Sequence, residues 1–103
     1  MHLIELFLPL KANDGTPIEK ALLESVRKEL LERFGGVTAH SRAPVSGWWD
    51  GGLDEGAVRD DLLILEVMVD TLDTQWWGRY RQRLEQQFGQ EAMVVRAFPI
   101  QSL

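Results

Sequence analysis

The sequence contains no cysteine and no long apolar run. Without cysteine the chain has no disulfide, no thiolate metal ligand and no cysteine nucleophile. Its apolar runs are far shorter than the ~20 residues that a membrane-spanning helix needs. No basic and apolar leader precedes the first strand-like segment, so we predict no signal peptide. These absences favour a cytoplasmic protein that does not associate with a membrane.

Positive charge is also scarce, because 11 Lys and Arg residues face 16 Asp and Glu residues and the formal net charge is −5. An acidic protein repels phosphate backbones unless its basic groups are concentrated in one place. The one basic cluster is Arg79, Arg81 and Arg83, and residues two apart do not share a helix face. We therefore predict a solvated helix surface here and no nucleic-acid partner.

Hydrophobic residues make up 45% of the 103 residues, which is enough to build a core. The chain has the size of one domain, and we predict that residues 1–103 form it. Apolar residues alternate with a period of two over residues 2–10 and 62–69, which predicts two strands. Residues 37–42 and 91–100 are predicted to form two further strands.

The first predicted helix starts near Thr16 and ends at Gly35. Thr16 and Glu19 have the spacing of a capping box, and Pro17 suits the first helical position. The apolar stripe repeats mainly every four residues, which is typical of an amphipathic helix; it comprises Ile18, Leu22, Val26, Leu30 and Phe34, broadened by Leu23 and Leu31.

The second predicted helix runs from about residue 75 to residue 88, preceded by N-cap residues over 70–74 and ended by Gly89. Trp76 and Trp77 share helical spacing with Tyr80, so the pattern favours core positions for both tryptophans over a binding role. Gly78 lies inside this helix and costs ~1 kcal/mol relative to alanine. Its presence indicates either close packing or a weak first turn.

The element order predicts an α+β fold of the ferredoxin-like kind. Each half of the chain is strand, helix, strand, which matches the split βαβ motif. In βαββαβ order this gives a four-stranded antiparallel sheet with two helices on one face. Because the two crossovers are right-handed and interleave, the expected spatial order is fourth, first, third, second strand.

Helices on one side leave the other face of the sheet open. If the richer alternation faces the helices, one row across the open face runs Arg96, Glu5, Glu66 and then His40 or Arg42. One interpretation is a row of salt bridges on a solvated sheet. The alternative is a polar cluster in a pocket, with Glu5 or Glu66 as general base and His40 and Arg96 positioning a substrate.

Apolar residues surround that row, in a patch too large for a monomer to leave exposed; it comprises Leu3, Phe7, Ile64, Met68, Val94 and Phe98. We predict that a second copy of the chain or the segment 44–61 covers it. Face-to-face association of two sheets would give a dimeric α+β barrel with a cavity, so a homodimer or higher homo-oligomer is expected.

Residues 44–61 are predicted to form a long loop between the second and third strands. It contains Trp48 and Trp49 beside several glycines and acids. A loop of this length in a small domain is typically a lid or a binding loop. The two indoles would either anchor the loop over the sheet or close a ligand pocket.

A metal site and a cofactor site are not predicted. His40, Glu66 and Glu5 resemble part of a facial set of metal ligands, but they have no sequence-local ligand spacing. No phosphate-binding loop, dinucleotide fingerprint or nucleophile elbow is present. We therefore expect no metal and no cofactor.

A resemblance follows from three short motifs, which are Phe34-Gly35-Gly36-Val37-Thr38, then Gly47-Trp48, then Glu66 within an apolar strand. Together they resemble uncharacterised small bacterial ferredoxin-like proteins with a Phe-Gly-Gly-x-Thr, Gly-Trp and Glu pattern. The resemblance covers the middle third to half of the chain and implies that Thr38, Trp48 and Glu66 belong to a site. The doubled tryptophan and the acidic, glycine-rich extension depart from the pattern. The resemblance implies fold and site region, not a reaction.

Three functions fit these patterns. The first is a homo-oligomeric protein that binds a small organic molecule between the open face and the tryptophan segment, with Glu66, His40, Glu5, Arg96 and Thr38 as polar groups and Trp48, Trp49, Phe7 and Phe98 as apolar walls. The second is a cofactor-free enzyme of the dimeric barrel type, an isomerase or a monooxygenase-like protein. The third is a structural or regulatory interaction module.

Overall fold

The computed structural model describes residues 1–42 and 62–103, with the side chains of Ser41 and Arg42 left aside. The strands are β1 (His2–Pro9), β2 (Thr38–Arg42), β3 (Leu62–Val69) and β4 (Val95–Pro99), and the helices are α1 (Lys20–Phe34) and α2 (Thr74–Phe88). The predicted loop 44–61, with Trp48 and Trp49, lies outside the described residues.

The four strands form one antiparallel sheet in the order β2-β3-β1-β4. This is the predicted order, and the α+β ferredoxin-like fold is confirmed. The long strands β1 and β3 occupy the centre, where both of their edges are paired. The short strands β2 and β4 flank them, so each site position on the central strands has neighbours on both sides.

The core lies between the sheet and the two helices. From the sheet it takes one alternating set of side chains, Ile4, Leu6, Leu8, Leu65, Val67 and Val69. From the helices it takes Val26, Leu30, Trp77, Tyr80, Leu84 and Phe88. The predicted choice of buried face is therefore confirmed, since alternation sends every second strand residue to the same side. Leu31 departs from its predicted place in the stripe and is 40% exposed.

The predicted capping box at the start of α1 is wrong. The helix begins at Lys20, and the N-cap Glu19 makes no side-chain capping hydrogen bond. The residues before it are paired with the end of β1, because the Ile18 N–H donates to the Leu10 carbonyl at 2.9 Å. Because the backbone at Ile18 is paired with Leu10, it cannot also form the first turn of a helix, and α1 starts about one turn later than predicted.

The second helix begins and ends close to its predicted bounds. The Asp73 carboxylate accepts a hydrogen bond from the Trp76 N–H at 3.1 Å and caps the helix. Gly89 ends it with a φ of 63°, in the left-handed region that glycine adopts readily. Phe34, at the end of α1, stacks on Trp77 with ring centroids 5.1 Å apart. The predicted core positions are confirmed, since Trp77 lies in the core and Trp76 packs against it.

The last strand is shorter than predicted. β4 begins at Val95 instead of residue 91. The Met93 N–H donates to the Glu85 Oε2 atom on α2 at 2.9 Å, so this part of the chain is bound to the helix. The Phe7 N–H donates to the Val94 carbonyl at 3.0 Å, and from there onward the chain pairs with β1.

Candidate functional site

A row of polar residues crosses the open face of the sheet at its centre. Glu5 on β1 is paired with Arg96 on β4 and with Glu66 on β3. The fourth position of the row is Thr38, which is the cross-strand partner of Glu66. The prediction that His40 or Arg42 completes the row is therefore wrong in register: His40 is paired with Ile64, and Arg42 with Leu62 at the far end of β2.

Glu5 is the acid of this row with the shorter contact to a basic partner. The Arg96 Nε atom donates to Glu5 Oε1 at 2.7 Å, and only 13% of the Glu5 side chain is exposed. The Arg96 guanidinium also lies over the Phe7 ring, 4.8 Å from its centroid, as a cation–π contact. The Arg96 hydrogen bond holds the pKa of Glu5 below its usual value, against the opposing effect of desolvation.

The lowered pKa decides which chemistry suits Glu5. A general base works best with a pKa near the operating pH. The pKa of Glu5 is lowered, which takes it further from neutral pH, so Glu5 suits the role of a fixed negative charge better than that of a proton acceptor. Its role as a catalytic residue stays a prediction, whereas its role as an electrostatic anchor follows from the Arg96 contact.

Glu66 has a weaker contact. The His40 Nε2 atom lies 3.6 Å from Glu66 Oε1, within ion-pair range but too far for a good hydrogen bond. A quarter of the Glu66 side chain is exposed, at 25%, against 47% for His40. The sheet register thus brings together four predicted site residues, which are Glu5, Glu66, His40 and Arg96. Thr38, a fifth predicted site residue that the resemblance also named, is paired with Glu66.

Apolar side chains around the row are open to solvent in this chain. Met68 is 62% exposed, Val94 is 53% exposed and Phe98 is 39% exposed. Phe7 is half-buried beneath Arg96, whereas Ile64 is buried at 5% although it belongs to the open face. The predicted wall residues Phe7 and Phe98 therefore both lie on this face, but Phe98 is paired with Leu3, four residues from Phe7 along β1, and the Glu5–Arg96 pair lies between them.

No metal site is found within residues 1–42 and 62–103, where no three His, Asp or Glu side chains are grouped to hold an ion. Neither helix of the described residues is long and apolar enough to cross a membrane. The predicted contributions of Trp48 and Trp49 lie outside these ranges.

A separate cleft, which the sequence analysis did not predict, lies on the helix side of the sheet between α2 and β4. Its volume is about 220 Å³. Its apolar walls are Ile4, Leu72, Trp77, Val95 and Ala97. The remaining lining comes from Thr74, Gly78, Arg81 and Arg96. The sequence feature that could have indicated this cleft is Gly78 inside a helix, where a Cβ atom would meet nothing within 4 Å. This open space excludes close packing, one of the two explanations offered for Gly78, and the weak first turn stays a prediction.

Comparison with known proteins supports the fold. No protein-family model matches the chain, and no curated protein matches it. A solved structure of a phage SAM lyase in complex with S-methyl-5'-thioadenosine is similar, with a TM-score of 0.54 and 14% sequence identity. The similarity covers 94% of this chain and 79% of the lyase chain. At this identity it shows a shared fold.

Proposed function

We propose that this chain binds a small organic molecule on the open face of its sheet and works there as a homo-oligomer. The observation that carries the proposal is the carboxylate pair Glu5 and Glu66, whose side chains are mostly buried in the centre of an otherwise exposed, partly apolar face. Charged groups are kept out of water only where partners compensate them. Arg96 does so for Glu5, while the ion-pair partner of Glu66 within residues 1–42 and 62–103 is His40, at the longer distance of 3.6 Å.

The roles of the residues follow from these contacts. Arg96 and Glu5 form a fixed ion pair that shapes the polar centre, and Phe7 supports it from below. Glu66 and its neighbour Thr38 offer the acceptor and hydroxyl groups that a bound molecule would contact. Our proposal retains the resemblance to small bacterial ferredoxin-like proteins, which names the same two residues together with Trp48.

The fold relative supports the class of ligand. That protein holds S-methyl-5'-thioadenosine, a small molecule with an apolar thioether and a heteroaromatic ring. An open face that combines Glu66 with exposed Met68 and Phe98 has both the polar and the apolar contacts for a molecule of that kind. S-Methyl-5'-thioadenosine is therefore the first probe to test.

The exposed apolar residues support the second part of the proposal. Met68, Val94 and Phe98 would lose contact with water if the open faces of two copies packed together. A ligand between the faces would then be enclosed, and Trp48 and Trp49 would add to its walls. We predict that native mass spectrometry shows a homodimer or a larger homo-oligomer, and a monomer at micromolar concentration would contradict this part.

The binding test uses nuclear magnetic resonance titration with S-methyl-5'-thioadenosine. We expect saturable shifts of the backbone amides of Glu5, Thr38 and Glu66. Glu66→Gln should weaken the binding by about tenfold through loss of a charged hydrogen-bond acceptor. Glu32→Gln, at an exposed acid on α1, is the matched control and should bind like the wild type.

Thermal unfolding of both variants separates binding from folding. Glu66 lies outside the core, so both variants should unfold close to the wild-type temperature. If the probe shifts no open-face amide at millimolar concentration, or if Glu66→Gln binds it as tightly as the wild type, the proposed binding function is wrong.

A further inference from the structure

The cleft between α2 and β4 lies on the opposite side of the sheet from the proposed ligand face. Its walls are apolar, and its volume of about 220 Å³ exceeds the ~150 Å³ of an engineered apolar cavity that admits benzene. The opening is therefore large enough for one fused ring system. Nothing in the proposed function of the open face uses this space.

Gly78 is the residue that keeps the cleft open. It lies inside α2, where glycine is disfavoured because its backbone loses the most freedom on folding. Neither tight packing nor a positive φ explains it, since a Cβ would meet nothing within 4 Å and Gly78 does not have a left-handed backbone. Any other residue at this position would extend a side chain into the cleft.

The opposite wall has a similar property. Ala97 on β4 is exposed and lines the cleft with the smallest side chain after glycine. Gly78 on α2 and Ala97 on β4 therefore leave space between the two elements, next to buried residues such as Ile4 and Trp77. This space, called the slot below, has room for a planar apolar body.

The charged residues of the lining indicate the charge of the molecule that would bind in the cleft. Arg81 lines the cleft, and among the described residues that line it none is acidic. The other arginine of the lining, Arg96, has its guanidinium engaged on the open face with Glu5. Arg81 is therefore the cationic group of the described lining that can meet an occupant of the cleft.

Arg81 is held in place and still has donors to offer. Its Nη1 atom donates to Glu85 Oε2 at 2.7 Å, and the same oxygen accepts from the Met93 N–H at 2.9 Å. A guanidinium carries five N–H groups, so one bond to Glu85 leaves others available for a second carboxylate. Glu85 thereby positions Arg81 at the cleft.

We propose that this cleft is a binding site for a small organic anion with a flat aromatic body, such as an aryl carboxylate. The ring enters the slot beside Gly78 and Ala97. Its carboxylate accepts hydrogen bonds from Arg81. The site lies on the other side of the sheet from the carboxylate pair of the open face.

The test compares two probes with the same ring and opposite charge, 2-naphthoate and 2-naphthylmethylammonium. In amide-resolved titrations, naphthoate should shift the signals of Leu72, Gly78 and Ala97. It should bind at least about tenfold more tightly than the ammonium probe, because only the anion pairs with Arg81. Arg81→Gln should remove most of that difference.

Gly78→Leu is the blocking variant. Leucine favours the helix more than glycine does, and no neighbour opposes its Cβ, so the variant should fold with an unchanged or higher melting temperature. It should nevertheless lose naphthoate binding by at least about tenfold, because its side chain fills the slot. Gln82→Leu, at an exposed position of the same helix outside the cleft, is the control and should bind normally.

Three results would overturn the proposal. The first is that naphthoate leaves the cleft amides unshifted, and the second is that Gly78→Leu binds it as the wild type does. The third is that the ammonium probe binds the cleft equally well. Shifts confined to Glu5 and Glu66 would assign naphthoate to the open face and would count against the cleft while leaving the proposed function standing.

Discussion

Substitution by alanine should have opposite effects on stability at Gly78, inside α2, and at Gly89, which ends this helix. At Gly78 and at Gly89 a Cβ atom would meet nothing within 4 Å, so steric clash is absent in both cases. The backbone differs: Gly89 has a φ of 63°, whereas Gly78 is an ordinary helical residue. Glycine to alanine at these two sites therefore isolates the backbone contribution to stability.

For Gly78→Ala we expect the free energy of unfolding to rise by ~0.5–1 kcal/mol, the difference in helix propensity between the two residues. For Gly89→Ala we expect it to fall by ~1–2 kcal/mol, because an L-residue with a Cβ is strained in the left-handed region. In a domain of this size 1 kcal/mol corresponds to a melting-temperature change of roughly 4–8 °C. The two variants should thus melt at clearly separated temperatures.

Urea unfolding followed by far-ultraviolet circular dichroism measures both values. The slope of the free energy with urea should be equal in wild type and variants, since neither substitution changes the surface exposed on unfolding. A destabilised Gly78→Ala would refute the reasoning, because it would mean that Gly78 is closely packed after all. An unchanged Gly89→Ala would contradict the left-handed cap.

Two further predictions concern titratable groups. The chain has one tyrosine, so the phenolate absorbance reports Tyr80 alone. Burial raises the pKa of Tyr80 to about 12. The phenolate absorbance should therefore rise near pH 12 in the folded protein but near pH ~10 in urea. The stability that Tyr80 contributes is complete below pH ~10 and is lost as the pH rises through the folded pKa; folded and unfolded titrations that coincide would contradict its burial. The hydrogen bond from the Met93 N–H lowers the pKa of Glu85 below 4.5, so its stabilisation is present above pH 4.5 and is lost as the pH falls through the folded pKa. Glu85→Gln should therefore lower the urea midpoint at pH 7 and weaken its fall in acid, whereas Glu91→Gln, at an exposed acid, should match the wild type at both pH values.

Much of the candidate site was predictable from alternation, although its register was not. The period of two in β1 and β3 placed Glu5 and Glu66 on the open face, and the strand order then placed Glu5 between Glu66 and Arg96. The partner of Glu66 depended on the exact pairing of β2 with β3. A shift of two residues in that pairing keeps every side chain on the same face, so the alternation within one strand cannot distinguish the two registers. Thr38 therefore occupies the position predicted for His40 or Arg42.

Local sequence by itself determined the elements whose signals are local: the buried stripe of α2, the glycines that end both helices, and the face that each strand residue occupies. The tertiary structure decided what depends on contacts between distant segments. Pairing of Ile18 with Leu10 delayed the start of α1, and the bond from Met93 to Glu85 shortened β4. The cleft at Gly78 arose in the same way, because an empty space is defined by the elements around it, and no single segment encodes the distance between a helix and an edge strand.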